Sequence, residues 1–252
     1  MPELGPEIWA YAVFAAALAG IIKGVVGFAM PMVMISSLAV VLPPDLALAA
    51  LILPTLATNA WQALRTGWTD AKEAVREHWR YLLVVWAFIV FSAQLIYVLP
   101  EPVMFLILGL PVTFFSLAQL MGWRLRFPPD ARRRVEVMVA SFAGFVGGLS
   151  GVWGPPTVAY LTALETPKFQ SVRVQGVVYG SGALVLALAH IKSGVVSVGT
   201  AQMSALLLVP ALAGLWLGFQ VQDRMDQEAF RKATLLVLVV AGLNLVRRGI
   251  FG

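Results

Sequence analysis

The sequence predicts an all-α integral membrane protein made of two inverted repeats of about five helical segments each. In each repeat a glycine-rich broken helix or re-entrant hairpin is expected to reach the bilayer midplane, so that the two meet there. One observation behind this prediction is composition: of 252 residues, 60% are hydrophobic and 12% are charged. Soluble domains carry about 25% charged residues. The other observation is a motif that occurs once in each half of the chain.

Apolar segments alternate with Gly, Pro and charged breakers along the whole chain. Runs such as 81–99 and 201–219 approach the roughly 20 residues that a helix needs to cross hydrocarbon. The breakers delimit ten segments, at 8–26, 28–42, 46–64, 79–98, 102–121, 135–149, 153–165, 171–190, 199–219 and 229–246.

Two long basic connections, 65–80 and 122–134, set the predicted orientation. The hairpin at 100–102 places both on one side, which the positive-inside rule assigns to the cytoplasm. Both termini are then periplasmic, in a bacterial inner membrane. Asp70 and Glu73 have the spacing of a capping box, which predicts a short interfacial helix there. His78, in the same connection, is expected to be solvated.

The repeated motif relates residues 19–31 to residues 143–155. Alanine, three glycines and proline coincide, each pair separated by 124 positions. The predicted organisation is a first repeat at 1–122, a basic cytoplasmic linker at 123–134 and a second repeat at 135–252. Five segments per half is an odd number, so the second half begins on the opposite side of the membrane, as in the inverted repeats of many secondary transporters.

Two explanations of the glycines stay open. Small residues four positions apart let transmembrane helices pack closely. Alternatively, the glycines mark a helix break, with Pro31 and Pro155 in the first turn of a new helix. Segments 28–42 and 153–165 correspond to roughly 20–22 Å of helix, short of a core of about 30 Å. Their length favours two hairpins, one from each side of the membrane.

At these motifs, 20–31 and 144–156, the sequence resembles the sulfite exporter TauE/SafE family, also described as the membrane transporter family of unknown function 81. Chain length and the two-half organisation fit as well, so the resemblance covers nearly the whole chain. Lys23 departs from the smaller residue that is commoner at its position. The resemblance implies a carrier of sulfite, thiosulfate, sulfonates or other small organic anions, often working in export.

The two predicted breaks also suggest how an anion is held. A helix N-terminus carries a partial positive charge and unpaired N–H donors, so it binds an anion without placing a full charge in lipid. Buried polar residues of the neighbouring segments complete the candidate set. The predicted substrate-binding residues are Lys23, Gly24, Gly27, Pro31, Asn59, Ser150, Gly151, Trp153, Gly154, Pro155, Gln175 and Tyr179.

Some of these residues have a second explanation. Lys23 is either a counter-ion for the substrate or, if the segments cross fully, a cytoplasmic lysine that follows the positive-inside rule. Trp153 is either an indole donor to the anion or a packing aromatic. Coupling to protons, for which His190 is one candidate, and simple facilitated diffusion both stay open.

The sequence argues against catalysis. Neither a His-Glu-x-x-His zinc motif, a Gly-x-Ser-x-Gly elbow nor a phosphate-binding loop occurs, and the chain has no cysteine. No cofactor, metal or nucleic acid is expected. The predicted function is a secondary transporter that exports sulfite or organosulfonates by alternating access. The alternatives are a carboxylate carrier and an anion channel. The expected partners are a small anion and the bilayer, and a homodimer stays open.

Overall fold

The computed structural model describes residues 4–94, 100–123, 129–150, 152–189 and 198–251. Within these ranges the chain forms helices joined by short turns, which confirms the all-α prediction. The helices are α1 (Pro6–Val26), α2 (Met30–Leu38), α3 (Pro44–Ala50), α4 (Ile52–Leu64), α5 (Trp68–Glu77), α6 (Trp79–Ala93), α7 (Glu101–Leu120), α8 (Arg132–Ser150), α9 (Gly154–Ala163), α10 (Lys168–Ala189), α11 (Val198–Arg224) and α12 (Gln227–Phe251).

Among the described residues, five helical stretches are long and apolar enough to cross a membrane. Less than half of each is buried inside the protein, so the remaining apolar surface faces lipid. These stretches are Pro6–Val26, Leu46–Leu64, Pro102–Leu120, Gln202–Arg224 and Gln227–Phe251, and Trp79–Ala93 is a shorter apolar helix. The protein is therefore a multi-pass membrane protein.

In each half, the helix that carries the repeated glycines packs lengthwise against a partner helix. A Cβ atom on Gly20 of α1 would lie 2.3 Å from the carbonyl oxygen of Ala211 in α11, and one on Gly24 would lie 2.4 Å from that of Leu215. The two helices therefore run parallel in close contact. The explanation of these glycines as packing residues is correct.

The second half repeats this contact between α8 and α6. A Cβ atom on Gly144 would lie 2.6 Å from the carbonyl oxygen of Val85, and one on Gly148 would lie 2.4 Å from that of Ile89. The α8 and α6 helices are thus also parallel. Equivalent glycines of the two motifs make equivalent contacts, although their partner helices share little sequence.

Contacts between the two pairs fix their relative direction. The α4 helix is parallel to α11, because Leu53 bonds Ser204 and Arg65 bonds Gln222. It is antiparallel to α10, whose Gly176 and Gly180 face positions 63 and 59 respectively. The α6 helix is parallel to α10. Glu77, just before α6, bonds Gln170, and Trp86 within α6 bonds Ser181. The α6–α8 pair therefore runs opposite to the α1–α11 pair, which is compatible with the inverted repeat.

The glycine motif also breaks the chain. Gly27 has a φ of 91° and Ala29 a φ of 74°, both in the left-handed region, so α1 ends here and α2 begins at Met30. The α2 helix folds back on α1, since Met34 and Leu38 lie in one buried cluster with alanines of α1. With 9 residues, it extends roughly 14 Å, about half of a bilayer core. It forms a helical hairpin with α1, in which α2 is the short arm.

The second hairpin is built in the same way from α8 and α9. The α9 helix has 10 residues and packs against α8. Gly151, at the break itself, lies outside the described residues, as does the side chain of Ser150. His190 is also outside the described residues.

The predicted interfacial helix is present as α5, with two corrections. It begins at Trp68 after Gly67, and no side chain caps it, so the capping box at Asp70 is wrong. The Asp70 carboxylate instead pairs with Arg173 at 2.5 Å, joining α5 to α10. His78 lies between α5 and α6 and is only 8% exposed. The prediction that its side chain is solvated is therefore wrong.

Candidate functional site

Buried polar side chains gather where the end of α1 meets α4 and α10. Lys23, Thr58, Asn59, Gln62 and Gln175 are each at most 1% exposed. Polar side chains inside a membrane protein are costly unless they find partners, and they commonly mark a substrate path. These residues form the candidate site, and their contacts show how each one is held.

Lys23 projects from the last turn of α1 into α4. Its ammonium donates to the Thr58 hydroxyl at 3.0 Å and to the side-chain oxygen of Asn59. Both acceptors are uncharged, and no ion pair joins Lys23 to a carboxylate in the described part of the chain. The side chain is fully buried, so it is shielded from solvent. When protonated, it has no carboxylate partner among the described residues.

Gln62 ties the end of α1 to α10. Its amide nitrogen donates to the Gly27 carbonyl at 2.9 Å and to the Val172 carbonyl at 2.7 Å. Its carbonyl oxygen is buried and has no hydrogen-bond donor among the described residues. Sequence reasoning missed Gln62. The signal was available, since Gln62 follows Thr58 by four residues and so shares its helix face.

Gln175 in α10 faces the first helix break. Its amide nitrogen donates to the Ser171 hydroxyl at 3.2 Å, and its carbonyl oxygen is also unpaired in the described structure. That oxygen lies 2.6 Å from where a Cβ atom of Gly27 would be. A Cβ atom at position 27 would require the end of the Gln175 side chain to shift. The left-handed φ is the feature that favours glycine at this position.

The second helix break contacts the same helix, α10, further along. The Trp153 indole packs against Gly182, where a Cβ atom would lie 3.2 Å from its nitrogen, and the Tyr179 hydroxyl donates to the Gly154 carbonyl at 3.1 Å. Trp153 also covers Gly147. These contacts favour the packing explanation for Trp153. Gln175 and Gly182 lie on either side of the middle of α10, roughly 10 Å apart at 1.5 Å per residue.

Three of the predicted residues, Gly24, Pro31 and Pro155, lie outside the polar cluster. Gly24 faces the backbone of α11 and not the polar cluster, so its role in the structure is helix packing. Pro31 lies in the first turn of α2, and Pro155 in that of α9. Neither helix has a side-chain hydrogen bond at its N-cap residue. The first N–H groups of both helices therefore have no side-chain acceptor at that position.

Ion pairs close the basic end of the bundle below the cluster. Arg65, at the end of α4, pairs with Asp223 at 2.6 Å and lies 4.0 Å above the Phe219 ring of α11. The Arg173–Asp70 pair joins α10 to α5 at the same end. Together these contacts connect the helices that surround the candidate site.

A cavity of about 530 Å³ opens at this basic end, between α8, α9 and the start of α10. Arg80, Arg132 and Arg133 contribute positive charge to its wall, together with Glu77 and Glu136. His78 also lines it, and burial lowers the pKa of its imidazole below the ordinary value of 6.5. The cavity is large enough for a small hydrated anion.

The lipid-facing helices define a multi-pass membrane protein. The sequence profile named Sulfite exporter TauE/SafE matches residues 12–245. Because this match covers nearly the whole chain, the protein belongs to that family, whose members are membrane transporters of sulfur anions such as sulfite. Neither a curated protein nor a solved structure matches the chain.

Proposed function

We propose that the protein is a secondary transporter that exports small sulfur-containing anions, such as sulfite or organosulfonates, by alternating access. The observation that carries the proposal is Lys23, a fully buried lysine whose side-chain nitrogen bonds to Thr58 and Asn59. A charge inside a membrane protein is stabilised by an opposite charge. Since the described residues supply none at this point, a bound anion is the natural partner.

The surroundings of Lys23 suit an oxyanion. Lysine has three N–H donors, of which Thr58 and Asn59 use two. The third is available to a substrate oxygen. Sulfite and sulfonates have three such oxygens. The first turn of α2, which begins seven residues after Lys23, offers backbone N–H groups and the positive end of a helix dipole. Charge-assisted hydrogen bonds of this kind are about twice as strong as neutral ones.

Alternating access is supported by the opposed directions of the two helix pairs and by the ion pairs at the basic end. For an anion to reach Lys23 from that end, Arg65–Asp223 and Arg173–Asp70 must separate. Each pair is partly exposed, so breaking it costs about 1 kcal/mol or less. Such contacts serve as a gate that opens at low cost. In this proposal the basic end faces the cytoplasm of a bacterial cell and both termini are periplasmic.

Two alternatives make different predictions. A carrier of small carboxylates would use the same lysine, and it would prefer acetate or a similar anion over sulfonates. An anion channel would conduct without saturation. A homodimer would leave either mechanism unchanged in each subunit.

Counterflow in proteoliposomes tests the proposal. Vesicles loaded with unlabelled sulfite or sulfoacetate should accumulate the labelled anion transiently, and vesicles loaded with acetate should not. Steady anion current without counterflow would indicate a channel, and preference for acetate would indicate a carboxylate carrier. Failure of every sulfur anion to be transported would refute the proposal.

Lys23→Met tests the site itself. At about 4 Å and an effective dielectric constant of about 20, an ion pair contributes about 4 kcal/mol, so anion affinity should fall roughly a thousandfold. Lys232→Met is the matched control, because Lys232 is 63% exposed and distant in sequence from the cluster. Unchanged affinity in folded Lys23→Met protein would remove Lys23 from the site.

A further inference from the structure

We propose that Lys23 binds a proton together with the anion, so that one proton and one anion cross the membrane in the same cycle. The inference rests on the proposed function and names the ion to which transport is coupled. It follows from the hydrogen-bond partners of Lys23 and from the placement of the described charged groups on the helices around α1.

The partners of Lys23 suit both the ammonium and the neutral amine. Asn59 accepts from the nitrogen in either state. The Thr58 hydroxyl accepts from the ammonium at 3.0 Å, and at present it donates to the Pro54 carbonyl at 2.6 Å. A hydroxyl rotates freely between roles, so it can instead donate to the lone pair of the neutral amine. Loss of the proton therefore leaves no partner unsatisfied.

Of the described charged groups, Arg65 and Asp223 lie at the same end of the bundle as Lys23, and they pair with each other at 2.6 Å. The described α2 and α4 contain no titratable residue between Met30 and Leu38 or between Ile52 and Leu64. Tyr179 is the titratable group in the middle of α10, and its hydroxyl donates to Gly154. The others occupy loops or the first or last two turns of α1, α10, α11 and α12: Glu7, Tyr11, Arg65, Lys168, Arg173, Asp223, Arg224, Glu228, Arg231, Lys232, Arg247 and Arg248.

This placement couples the proton to the anion. An ammonium without a counter-charge costs several kcal/mol when buried, and an anion alone in the same place costs a similar amount. The proton on Lys23 and the anion offset each other's charge. Binding of the proton therefore increases the affinity of the site for the anion, and binding of the anion increases the affinity for the proton by the same factor. The favoured states are the neutral amine in the empty site and the ammonium–anion pair in the loaded site.

The charge balance follows directly. On the loading side, the amine, one proton and the anion form the ammonium–anion pair; on the other side, the anion leaves and the ammonium returns its proton. No covalent bond to carbon or sulfur changes. A monovalent anion therefore moves with no net charge, and its transport should respond to a pH gradient and not to membrane potential.

Calorimetry on the purified full-length protein measures the proton directly. The probes are methanesulfonate and thiosulfate, which stay fully ionised near neutral pH and so contribute no protons themselves. Titration in two buffers of different ionisation enthalpy should show uptake of about one proton per anion bound, which is the stoichiometry that linkage through a single site requires. Binding without proton uptake would overturn the coupling and leave anion transport intact. No binding of any sulfur anion would overturn the proposed function and the coupling together.

Proteoliposomes provide the second test through Lys23→Arg, since a guanidinium keeps its charge at every relevant pH. Unmodified protein should accumulate methanesulfonate against its gradient when a pH gradient is applied. Lys23→Arg should lose this accumulation, whereas Lys232→Arg should keep it. Accumulation by Lys23→Arg equal to that of the unmodified protein would overturn the proposal. Should the arginine not fit the buried site, the calorimetric result on the unmodified protein still decides.

Discussion

A single added methyl group tests the packing on which the fold depends. In Gly20→Ala, the new Cβ atom would lie 2.3 Å from the Ala211 carbonyl oxygen and 2.9 Å from the Leu215 nitrogen. Both are backbone atoms inside the α11 helix, so neither can rotate away. Restoring ordinary contact requires α1 and α11 to separate by roughly 1 Å over their shared length.

The expected destabilisation follows from two opposing effects. Forcing an extra methyl into a close-packed interface costs about 1–3 kcal/mol, and rigid backbone neighbours place this case at the upper end. Alanine favours the helix over glycine by about 1 kcal/mol. The net loss is about 2 kcal/mol. For a chain of this size, each kcal/mol lowers Tm by about 2–4 °C, so a decrease of about 4–8 °C is expected.

Thermal unfolding of the purified protein in detergent measures this change. Gly5→Ala is the control, since a Cβ atom there has nothing within 4 Å and the backbone φ is −61°. Gly144→Ala should behave like Gly20→Ala, because its Cβ atom would lie 2.6 Å from the Val85 carbonyl oxygen. If Gly20→Ala were as stable as Gly5→Ala, the close approach of α1 and α11 would be wrong.

Two further predictions concern the second half of the site and the basic end. Trp153→Ala should lower stability by about 3–5 kcal/mol, because it leaves a cavity between Gly147 and Gly182; Trp216→Ala, at a ring that is 50% exposed, should cost far less in the same melting experiment. Burial lowers the pKa of His78 in the folded protein below 6.5, so the unfolded chain takes up the proton first as the pH falls. Stability should therefore decrease as the pH falls below about 6.5, and His78→Gln should reduce that decrease. An unchanged pH dependence in His78→Gln would show that another group is responsible.

Much of the fold could be predicted because the length and composition of a segment decide whether it forms a helix that crosses lipid. The apolar segments predicted at 8–26 and 102–121 match α1 and α7 within a few residues. The repeated Gly20 and Gly144 were recognised as small residues at helical spacing, and the structure uses both for helix packing. Local turns were harder to predict. The helix at 68–77 begins before Asp70, because that carboxylate pairs with Arg173 across the bundle and does not cap its own helix.

In the candidate site, too, some features could be predicted from the sequence and others could not. Lys23, Asn59 and Gln175 could be selected from the sequence as polar groups in apolar segments, and all three are buried. Their mutual geometry could not be predicted, since it depends on contacts between residues far apart in the chain. Gln62 was missed for this reason: nothing local shows that its amide bonds the carbonyls of Gly27 and Val172.

The sequence by itself determined that the chain lies in a membrane, where most of its helices begin and end to within a few residues, and that one glycine motif occurs in both halves. It determined these because the cost of exposing polar backbone and charge to lipid depends on each segment alone. Only the tertiary structure decided that the glycines face neighbouring backbones and that Lys23 bonds to Thr58 and Asn59 without a carboxylate among the described residues. Those features depend on the direction and distance of one helix relative to another, which packing of the whole bundle sets.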